Sequence, residues 1–490
     1  MSEPSANGTG APSAGVPAKV YLGVFALAMI NVTAVLSIRN FPSMAELGWS
    51  LVGWYVLALL LFFLPLSLAG AELATGWPKG GGVYAWVREA FGERQGFTAI
   101  WCEWSENIVW FPTVLSFIAA TFAYAIDPSL ASNGLYMLVV MMGVFWGVTV
   151  LNFFGEKYGS GISSFGGLFG VILPCAILIV LLIVFLVEGK TGALTWTGVS
   201  GLLPSINLGT LPFVQTAVLL FAGMEMAGFH ARETRDPGND FPRAILYSAT
   251  IIFVLSILGT LAIAYTVPAQ ALSLSAGVIQ AIQSMLHAIG AGWLVKPMAL
   301  LIAVGAVAQL STWLIGPAKA LGVAAAQGDM PKVWRSHNRY DSPVAVLIIQ
   351  AAISSLFALL FVLVPSVNSA YWILQALTTQ VIIVMYLLMF SALIKLRYSQ
   401  PDTPRAYRVP GGTAGVWICS GVALVALIFS FLIGLIPPQG TVAMSTTTYI
   451  VVMLVFTFIL SIGAPLAFWL FRKPSWRAPD AESLLEGDAA

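Results

Sequence analysis

Two short segments of the sequence place charged and conformationally special residues inside otherwise apolar stretches. In the segment 35–43, Arg39 and Pro42 follow an apolar run, and in the segment 221–228, Glu225 lies between two glycines. Proline has no amide donor and disfavours helix in the residues before it, whereas glycine allows backbone angles that other residues avoid. Each segment therefore predicts a broken helix, with a simple kink as the alternative for either one alone.

A helix broken at membrane depth offers its backbone polar groups to a solute. Irregular backbone is tolerated there only where it is buried in protein or lines a cavity. The amides that begin a half-helix attract a substrate carboxylate, and the freed carbonyl groups can bind an ammonium group. The candidate substrate-binding residues of the two segments are Ser37, Ile38, Arg39, Asn40, Phe221, Ala222, Gly223 and Glu225.

Other ionisable residues also lie in or near apolar stretches. Glu103 and Glu106, three residues apart, share one face of a helix, and either could pair with Arg39 or relay a proton. Glu106 is therefore a candidate for coupling or gating, with a structural ion pair as the alternative. Glu72 could anchor a loop, and Lys296 could extend towards the membrane surface.

The sequence offers only a weak candidate for a metal site. The adjacent hydroxyls of Ser311 and Thr312 could supply hard oxygen ligands to a sodium ion beside the first break. Hydroxyls bonded back to their own helix are the favoured alternative. The three cysteines lie in apolar runs at spacings that suit neither disulfides nor a metal. No cofactor is predicted.

Composition indicates that these segments belong to an integral membrane protein. Of 490 residues, 59% are hydrophobic and only 9% are charged, whereas soluble proteins carry roughly 25% charged residues. The formal net charge of +1 gives no indication of a nucleic-acid partner. The partners expected are the lipid bilayer and a small-molecule substrate.

Windows of about 20 apolar residues predict twelve transmembrane spans. They lie at about 20–38, 51–74, 97–125, 133–152, 164–187, 211–230, 243–267, 292–325, 342–364, 367–395, 414–436 and 446–471. The polar first 18 residues and the acidic stretch from Ala478 are expected to be disordered. With both termini in the cytoplasm, all but three of the 22 basic residues fall in inner loops. The exceptions are Lys190, Arg39 and Lys296.

Three longer motifs resemble signatures of the amino acid–polyamine–organocation (APC) superfamily. They are Ala71-Glu72-Leu73-Ala74-Thr75 with Gly81-Gly82-Val83-Tyr84-Ala85-Trp86, Phe221-Ala222-Gly223-Met224-Glu225 with Asp236-Pro237, and Arg405-Ala406-Tyr407-Arg408-Val409-Pro410-Gly411-Gly412. Shorter runs at 41–50, 155–158 and 311–317 look most like the glutamate:γ-aminobutyrate antiporter branch.

The resemblance implies an all-α membrane fold of the leucine-transporter type. Two inverted five-helix repeats, 19–190 and 208–397, would be followed by spans 11 and 12 within 414–472, with tails at 1–18 and 474–490. Spans 1 and 6 would be discontinuous, and substrate would bind against both breaks. Glu225 would then face the substrate, and Trp313 would form an aromatic wall or gate, with ordinary packing as its alternative role.

The expected function is secondary active exchange, by alternating access across a prokaryotic inner membrane. A glutamate-like amino acid would be exchanged for a related amine or amino acid such as γ-aminobutyrate. Arg39 departs from the pattern of the branch that this sequence resembles. The better-known members of that branch carry an uncharged aromatic residue at this position. Its guanidinium could bind a substrate carboxylate bidentately, or it could neutralise Glu225 or Glu106.

Two other functions remain open from the sequence. One is proton- or sodium-coupled uptake of an amino acid or polyamine, and the other is a membrane-embedded ligand sensor, for which both tails are short. The sequence contains no G-x-x-x-x-G-K-[ST] phosphate loop and no metalloprotease or hydrolase motif. Neither nucleotide hydrolysis nor an enzymatic activity is therefore predicted.

Overall fold

A computed structural model of the chain describes residues 23–79, 81–155, 167–225 and 239–486, without the side chains of Ala34, Phe241, Thr312, Leu485 and Glu486. This part of the chain is helical and contains no β-strand. Its helices are α1 (Val24–Val35), α2 (Ile38–Ala45), α3 (Gly48–Gly76), α4 (Val83–Phe91), α5 (Glu93–Ile126), α6 (Gly134–Asn152), α7 (Leu168–Val187), α8 (Leu211–Phe221), α9 (Asp240–Thr266), α10 (Gly277–Ala288), α11 (Val295–Ala326), α12 (Val344–Leu363), α13 (Val367–Ser399), α14 (Gly412–Ile433), α15 (Thr446–Leu470) and α16 (Ala481–Glu486).

Ten helices of the described residues are long and apolar enough to cross a bilayer. Each lies within a few residues of a predicted span. The bent pair α1 and α2 would make an eleventh, at predicted span 1. At predicted span 6 the short apolar helix α8 ends at Phe221, and residues 226–238 lie outside the described part. The count of twelve spans therefore stays a prediction.

Helix α5 lies at the centre of the bundle and packs against α11 and α13. In its most apolar window 83% of the residues are buried, compared with 22% for α15. Apolar side chains on the outer helices are exposed because acyl chains, not water, would surround them. Polar residues in the middle of α5 and α13 are buried and face protein rather than lipid, whereas Lys296 near the start of α11 is exposed.

Two glycines bring α7 and α11 into backbone contact. A Cβ on Gly170 would lie 2.5 Å from the carbonyl oxygen of Gly305, and a Cβ on Gly305 would lie 2.4 Å from the amide nitrogen of Gly170. Small residues allow helices in membranes to approach this closely. This contact fixes the position of α11, which carries Gln309 and Trp313 a few residues further on.

Glu72 anchors the segment that follows α13, as the sequence suggested. Its fully buried carboxylate forms ion pairs with Arg397 and Arg405 and accepts a hydrogen bond of 2.7 Å from the amide of Val409. A buried carboxylate needs several partners to compensate for lost hydration. This interaction joins α3 to α13 and to the Arg405–Gly412 motif.

The expectation of disorder from Ala478 onwards is wrong for the described part of the tail. Residues Ala481–Glu486 form α16, and the amide of Ala478 donates a 2.7 Å hydrogen bond to the carbonyl of Ala326 at the end of α11. The side chain of Gln327 donates to the carbonyl of Ala481. Backbone groups of the tail thus find partners that its composition does not reveal. Residues 1–18 lie outside the described part.

A polar cluster beside this tail joins several helix ends. Arg472 contacts Glu93 at 2.7 Å and Asp329 at 3.4 Å, and the Tyr84 hydroxyl donates to Asp329 at 3.1 Å. Burial raises the pKa of Asp329 to about 6, although the charge of Arg472 and the Tyr84 hydrogen bond act in the opposite direction. The cluster links α4, α5, α11 and the tail.

Candidate functional site

The first break separates α1 from α2. Leu36 and Ser37 leave the helical conformation, with ψ angles of 114° and 89°, and the axis bends by 42°. Pro42 lies in the first turn of the α-helical part of α2, where a missing amide donor costs little. The amide of Asn40 donates to the carbonyl of Ser37 at 3.1 Å, so only the amides of Ile38 and Arg39, at the start of α2, have no backbone acceptor among the described residues.

The second break follows α8. Ala222 is extended with ψ of 149°, and Gly223 has φ of +103°, a conformation that favours glycine. The Gly223 amide donates to the Tyr386 hydroxyl at 3.0 Å and to Glu225 Oε2 at 3.2 Å. The helix therefore ends next to the predicted glycine, and the amide of Gly223 is turned towards the predicted carboxylate. Residues 226–238, where a second half of the span would follow, lie outside the described part, so the discontinuity of span 6 stays a prediction.

A cavity of about 60 Å³ lies between the two breaks and the middle of α5. A buried water occupies about 10–15 Å³ on this measure, so the cavity holds a small solute or a few waters. Four charged side chains line it: Arg39, Glu103, Glu106 and Glu225. Its polar and aromatic lining comprises Ser37, Asn107, Trp110, Gln309, Trp313 and Tyr386.

The cavity brings together most of the residues predicted from the sequence. Those that line it are Ser37, Arg39, Ala222, Gly223, Glu225, Glu106 and Trp313. Three other candidate substrate-binding residues do not line it. Ile38 and Asn40 are buried elsewhere, and neither polar atom of the Asn40 side chain has a partner among the described residues. Phe221 stacks on Phe63 with ring centroids 4.5 Å apart.

Arg39 is buried and is held by uncharged groups. Its Nη1 donates a 3.0 Å hydrogen bond to the hydroxyl of Thr113, and its guanidinium lies 4.8 Å from the ring centroid of Trp110. No carboxylate of the described residues lies within 4 Å of it, so neither ion pair considered from the sequence, with Glu225 or Glu106, is formed at that distance. Its Nε has no partner in the same part of the chain.

Glu225 is held by a network that includes Tyr386, which sequence analysis did not identify. The Tyr386 hydroxyl lies 3.0 and 3.1 Å from the two carboxylate oxygens, and it also accepts from the Gly223 amide. Phe62 packs edge-on against the Tyr386 ring at 5.3 Å. A tyrosine hydroxyl in the middle of an apolar span needs a polar partner. The position of Tyr386 within such a span is the feature by which sequence analysis could have identified it.

Glu103 and Glu106 face the cavity without protein partners. They are 6% and 8% exposed, respectively. Within the described ranges, neither carboxylate has a hydrogen bond or an ion pair. The pair therefore differs from Glu225 in offering all of its acceptor positions to a ligand.

Trp313 lies beside the cavity, and its role as an aromatic wall or gate stays a prediction. Its ring centroid is 5.8 Å from that of Trp110, and its outer edge lies 3.8 Å from a Cβ built on Gly223. Both tryptophans line the cavity. Gln309, one helical turn before Trp313, donates a 3.4 Å hydrogen bond to the carbonyl of Thr33 near the end of α1.

The sodium site suggested for Ser311 and Thr312 stays a prediction. The Ser311 hydroxyl accepts a 3.0 Å hydrogen bond from Asn152 of α6 and does not line the cavity. The Thr312 side chain lies outside the described part. Among the residues that the structure describes, no group of three or more His, Cys, Asp or Glu side chains could bind a metal ion.

Comparisons with known proteins identify close relatives of this chain. The model of the family described as amino acid permease matches residues 22–459. An uncharacterized transporter of Legionella pneumophila is 40% identical over 460 residues, 93% of this chain and 97% of that protein. A glutamate/gamma-aminobutyrate antiporter of Lactococcus lactis is 30% identical over 89% of this chain and 87% of its own. A probable agmatine/putrescine antiporter of Lactococcus lactis is 24% identical over 84% of this chain and 87% of its own.

Proposed function

This chain belongs to the amino acid permease family of the APC superfamily, a family of multi-pass membrane transporters, and we propose that it exchanges an amino acid for a related amine. The exchange pair proposed is a glutamate-like amino acid and γ-aminobutyrate. The similarity to the glutamate/gamma-aminobutyrate antiporter supports this pair. The distribution of lysine and arginine supports a cytoplasmic location of both termini, and the resemblance to bacterial transporters supports an inner membrane location.

One observation carries the proposal: groups of both charges line the cavity between the two breaks. Arg39 is the cationic group, and Glu103, Glu106 and Glu225 are the carboxylates. Glutamate and γ-aminobutyrate share a terminal carboxylate and an ammonium group. Both can therefore occupy the same cavity, as exchange at a single alternating-access site requires.

The proposed contacts follow from the free groups of the cavity. The substrate carboxylate would bind the guanidinium of Arg39, whose planar fork suits a carboxylate. The ammonium group would bind at the carboxylates, with the aliphatic stem against Trp110 and Trp313. Of the sequence-based coupling and gating candidates, Glu106 and Trp313 line the cavity, whereas Ser311 contacts Asn152.

A second candidate function is transport of a polyamine or another cationic amine. The excess of carboxylates over guanidinium groups in the cavity favours it, and so does the similarity to the agmatine/putrescine antiporter. Proton- or sodium-coupled uptake would use the same cavity. A ligand sensor would bind substrate there without moving it.

Counterflow in lipid vesicles distinguishes these functions. Purified protein is reconstituted in vesicles loaded with unlabelled glutamate, γ-aminobutyrate, a neutral amino acid or putrescine, and labelled substrate is added outside. Exchange predicts uptake of labelled γ-aminobutyrate that requires internal substrate and does not depend on sodium. Uptake into empty vesicles driven by sodium or a proton gradient would instead show symport. Binding without transport would show a sensor.

A further inference from the structure

The three carboxylates of the cavity differ in whether the protein supplies them with hydrogen-bond partners. Glu225 accepts hydrogen bonds from Tyr386 and from the Gly223 amide. Glu103 and Glu106 have no partner in the described part of the chain, although both are more than nine-tenths buried. Burying a carboxylate without a partner is costly, so this pair requires a counter-charge that enters with the ligand or as a proton.

Arg39 does not form an ion pair with either glutamate within 4 Å, although its charge acts on Glu106 over a longer distance. The guanidinium is drawn to Thr113 and to the face of Trp110 instead of either glutamate. An organic ammonium group, which donates up to three hydrogen bonds, suits two carboxylates with free acceptor positions.

Helix α5 places these groups along a single face. Glu103, Glu106, Trp110 and Thr113 follow the spacing i, i+3, i+7 and i+10, which keeps them on one side of a helix. A rise of 1.5 Å per residue separates Glu106 from Thr113 by about 10 Å along the axis. The face therefore runs from two free carboxylates, past an aromatic ring, to the hydroxyl that holds Arg39.

We propose that Glu103 and Glu106 are the specificity-determining residues that bind the substrate ammonium group, and that Glu225 is a positioning residue. The substrate class that matches this face is an ω-amino acid, with ammonium and carboxylate at opposite ends of an aliphatic stem. The stem lies against Trp110 and the carboxylate reaches Arg39. Glu225 holds the end of α8 through Tyr386. This inference rests on the proposed function.

Isosteric variants in the counterflow assay test the assignment. Glu103→Gln and Glu106→Gln remove the negative charge and keep the side-chain shape. Each should raise KM for γ-aminobutyrate roughly 10- to 100-fold, the loss expected for a hydrogen bond to a charged group, with a smaller effect on kcat. Inhibition by butyrate, which lacks the ammonium group, should be unchanged or stronger. Glu106→Asp keeps the charge and should give an intermediate KM.

Glu225→Gln provides the contrast. It should lower kcat for every substrate by a similar factor and leave the preference for γ-aminobutyrate over butyrate unchanged. Glu188→Gln makes the same chemical change at an exposed position outside the cavity and should leave both constants unchanged. The proposal is overturned if Glu225→Gln abolishes that preference while Glu103→Gln and Glu106→Gln retain it.

A binding measurement separates failure of this inference from failure of the proposed function. If the wild-type protein does not exchange any substrate, the exchange function is wrong, but ligands that bind the folded state still raise Tm. γ-Aminobutyrate should then raise the Tm of the wild type more than butyrate does, and both glutamine variants on α5 should lose this difference. Equal stabilisation of the wild type by the two ligands would overturn the assignment.

Discussion

The Tyr386 hydroxyl lies 3.0 and 3.1 Å from the two carboxylate oxygens of Glu225, although 161 residues separate them in the chain. This contact joins α13 to the non-helical segment after α8. Since the same hydroxyl accepts from the Gly223 amide at 3.0 Å, a single side chain holds both the carboxylate and the backbone of the break. The geometry of the second break therefore depends on a helix distant in sequence.

Tyr386→Phe should weaken this break. Without the hydroxyl, Glu225 Oε1 loses its hydrogen-bond partner, whereas the Gly223 amide keeps its bond to Oε2, and a buried group left unpaired costs about 1–3 kcal/mol. We expect a lower Tm and slower exchange, with KM less affected than kcat. Tyr247→Phe, at an exposed position on α9, is the matched control. Unchanged exchange in Tyr386→Phe would show that the network has no role in transport.

Gly223→Ala should destabilise the protein through backbone strain. The φ of +103° is unfavourable for alanine, at a cost of about 1–2 kcal/mol, whereas the nearest atoms to a new Cβ are 3.7 and 3.8 Å away and leave room for it. Thermal unfolding and counterflow measure the effect. Gly316→Ala, where a Cβ would meet nothing within 4 Å, should be neutral or stabilising. Equal Tm changes in the two variants would contradict a strain effect at Gly223.

Arg39→Lys tests how the substrate carboxylate is bound. Lysine keeps the positive charge but lacks the planar guanidinium group of arginine. It therefore can neither bind a carboxylate bidentately nor stack on Trp110 as a guanidinium does. We expect weaker binding of γ-aminobutyrate, roughly 10-fold or more, and no loss for an amine without a carboxylate, such as butylamine. Competition in the counterflow assay gives both values, with Arg339→Lys at an exposed site as control. Equal losses for the two ligands would argue against a carboxylate at Arg39.

Asp329→Asn should remove part of the pH dependence of stability. Burial raises the pKa of Asp329 to about 6, above its value in the unfolded chain, so the folded state binds this proton more tightly. The corresponding stability is present below pH 4 and is lost as the pH rises through about 6, by up to about 3 kcal/mol for two pKa units.

Thermal unfolding of the reconstituted protein between pH 4 and 7 checks this prediction. The decrease in Tm with rising pH should be smaller in Asp329→Asn than in the wild type. Asp402→Asn, at an exposed position, should retain the wild-type slope. A steeper slope in Asp329→Asn would mean that the contact with Arg472 at 3.4 Å outweighs burial and lowers the pKa of Asp329.

Sequence alone was sufficient to locate the ten long helices, the bend between α1 and α2 and the end of α8. Apolar windows identify the helices because a backbone in lipid must satisfy its hydrogen bonds within the segment. The end of α8 at Gly223 is local, since glycine acts on its own backbone. The bend at Leu36 and Ser37 is not explained in this way, because it lies upstream of Pro42, and Asn40 and Phe41, which the proline was expected to disturb, are helical. The spacing of Glu103 and Glu106 on one face of α5 also follows from helical periodicity.

Only the tertiary structure decided which of these polar groups have partners. Arg39 binds Thr113 rather than a carboxylate, Ser311 contacts Asn152, and Glu225 is held by Tyr386. These contacts depend on the rotation and depth of each helix relative to its neighbours. Close approaches between helices, such as that of Gly170 to Gly305, determine this rotation and depth. The hydrophobic pattern of the sequence does not encode these approaches. Periodicity thus indicates which face of a helix is polar, but packing determines what that face meets.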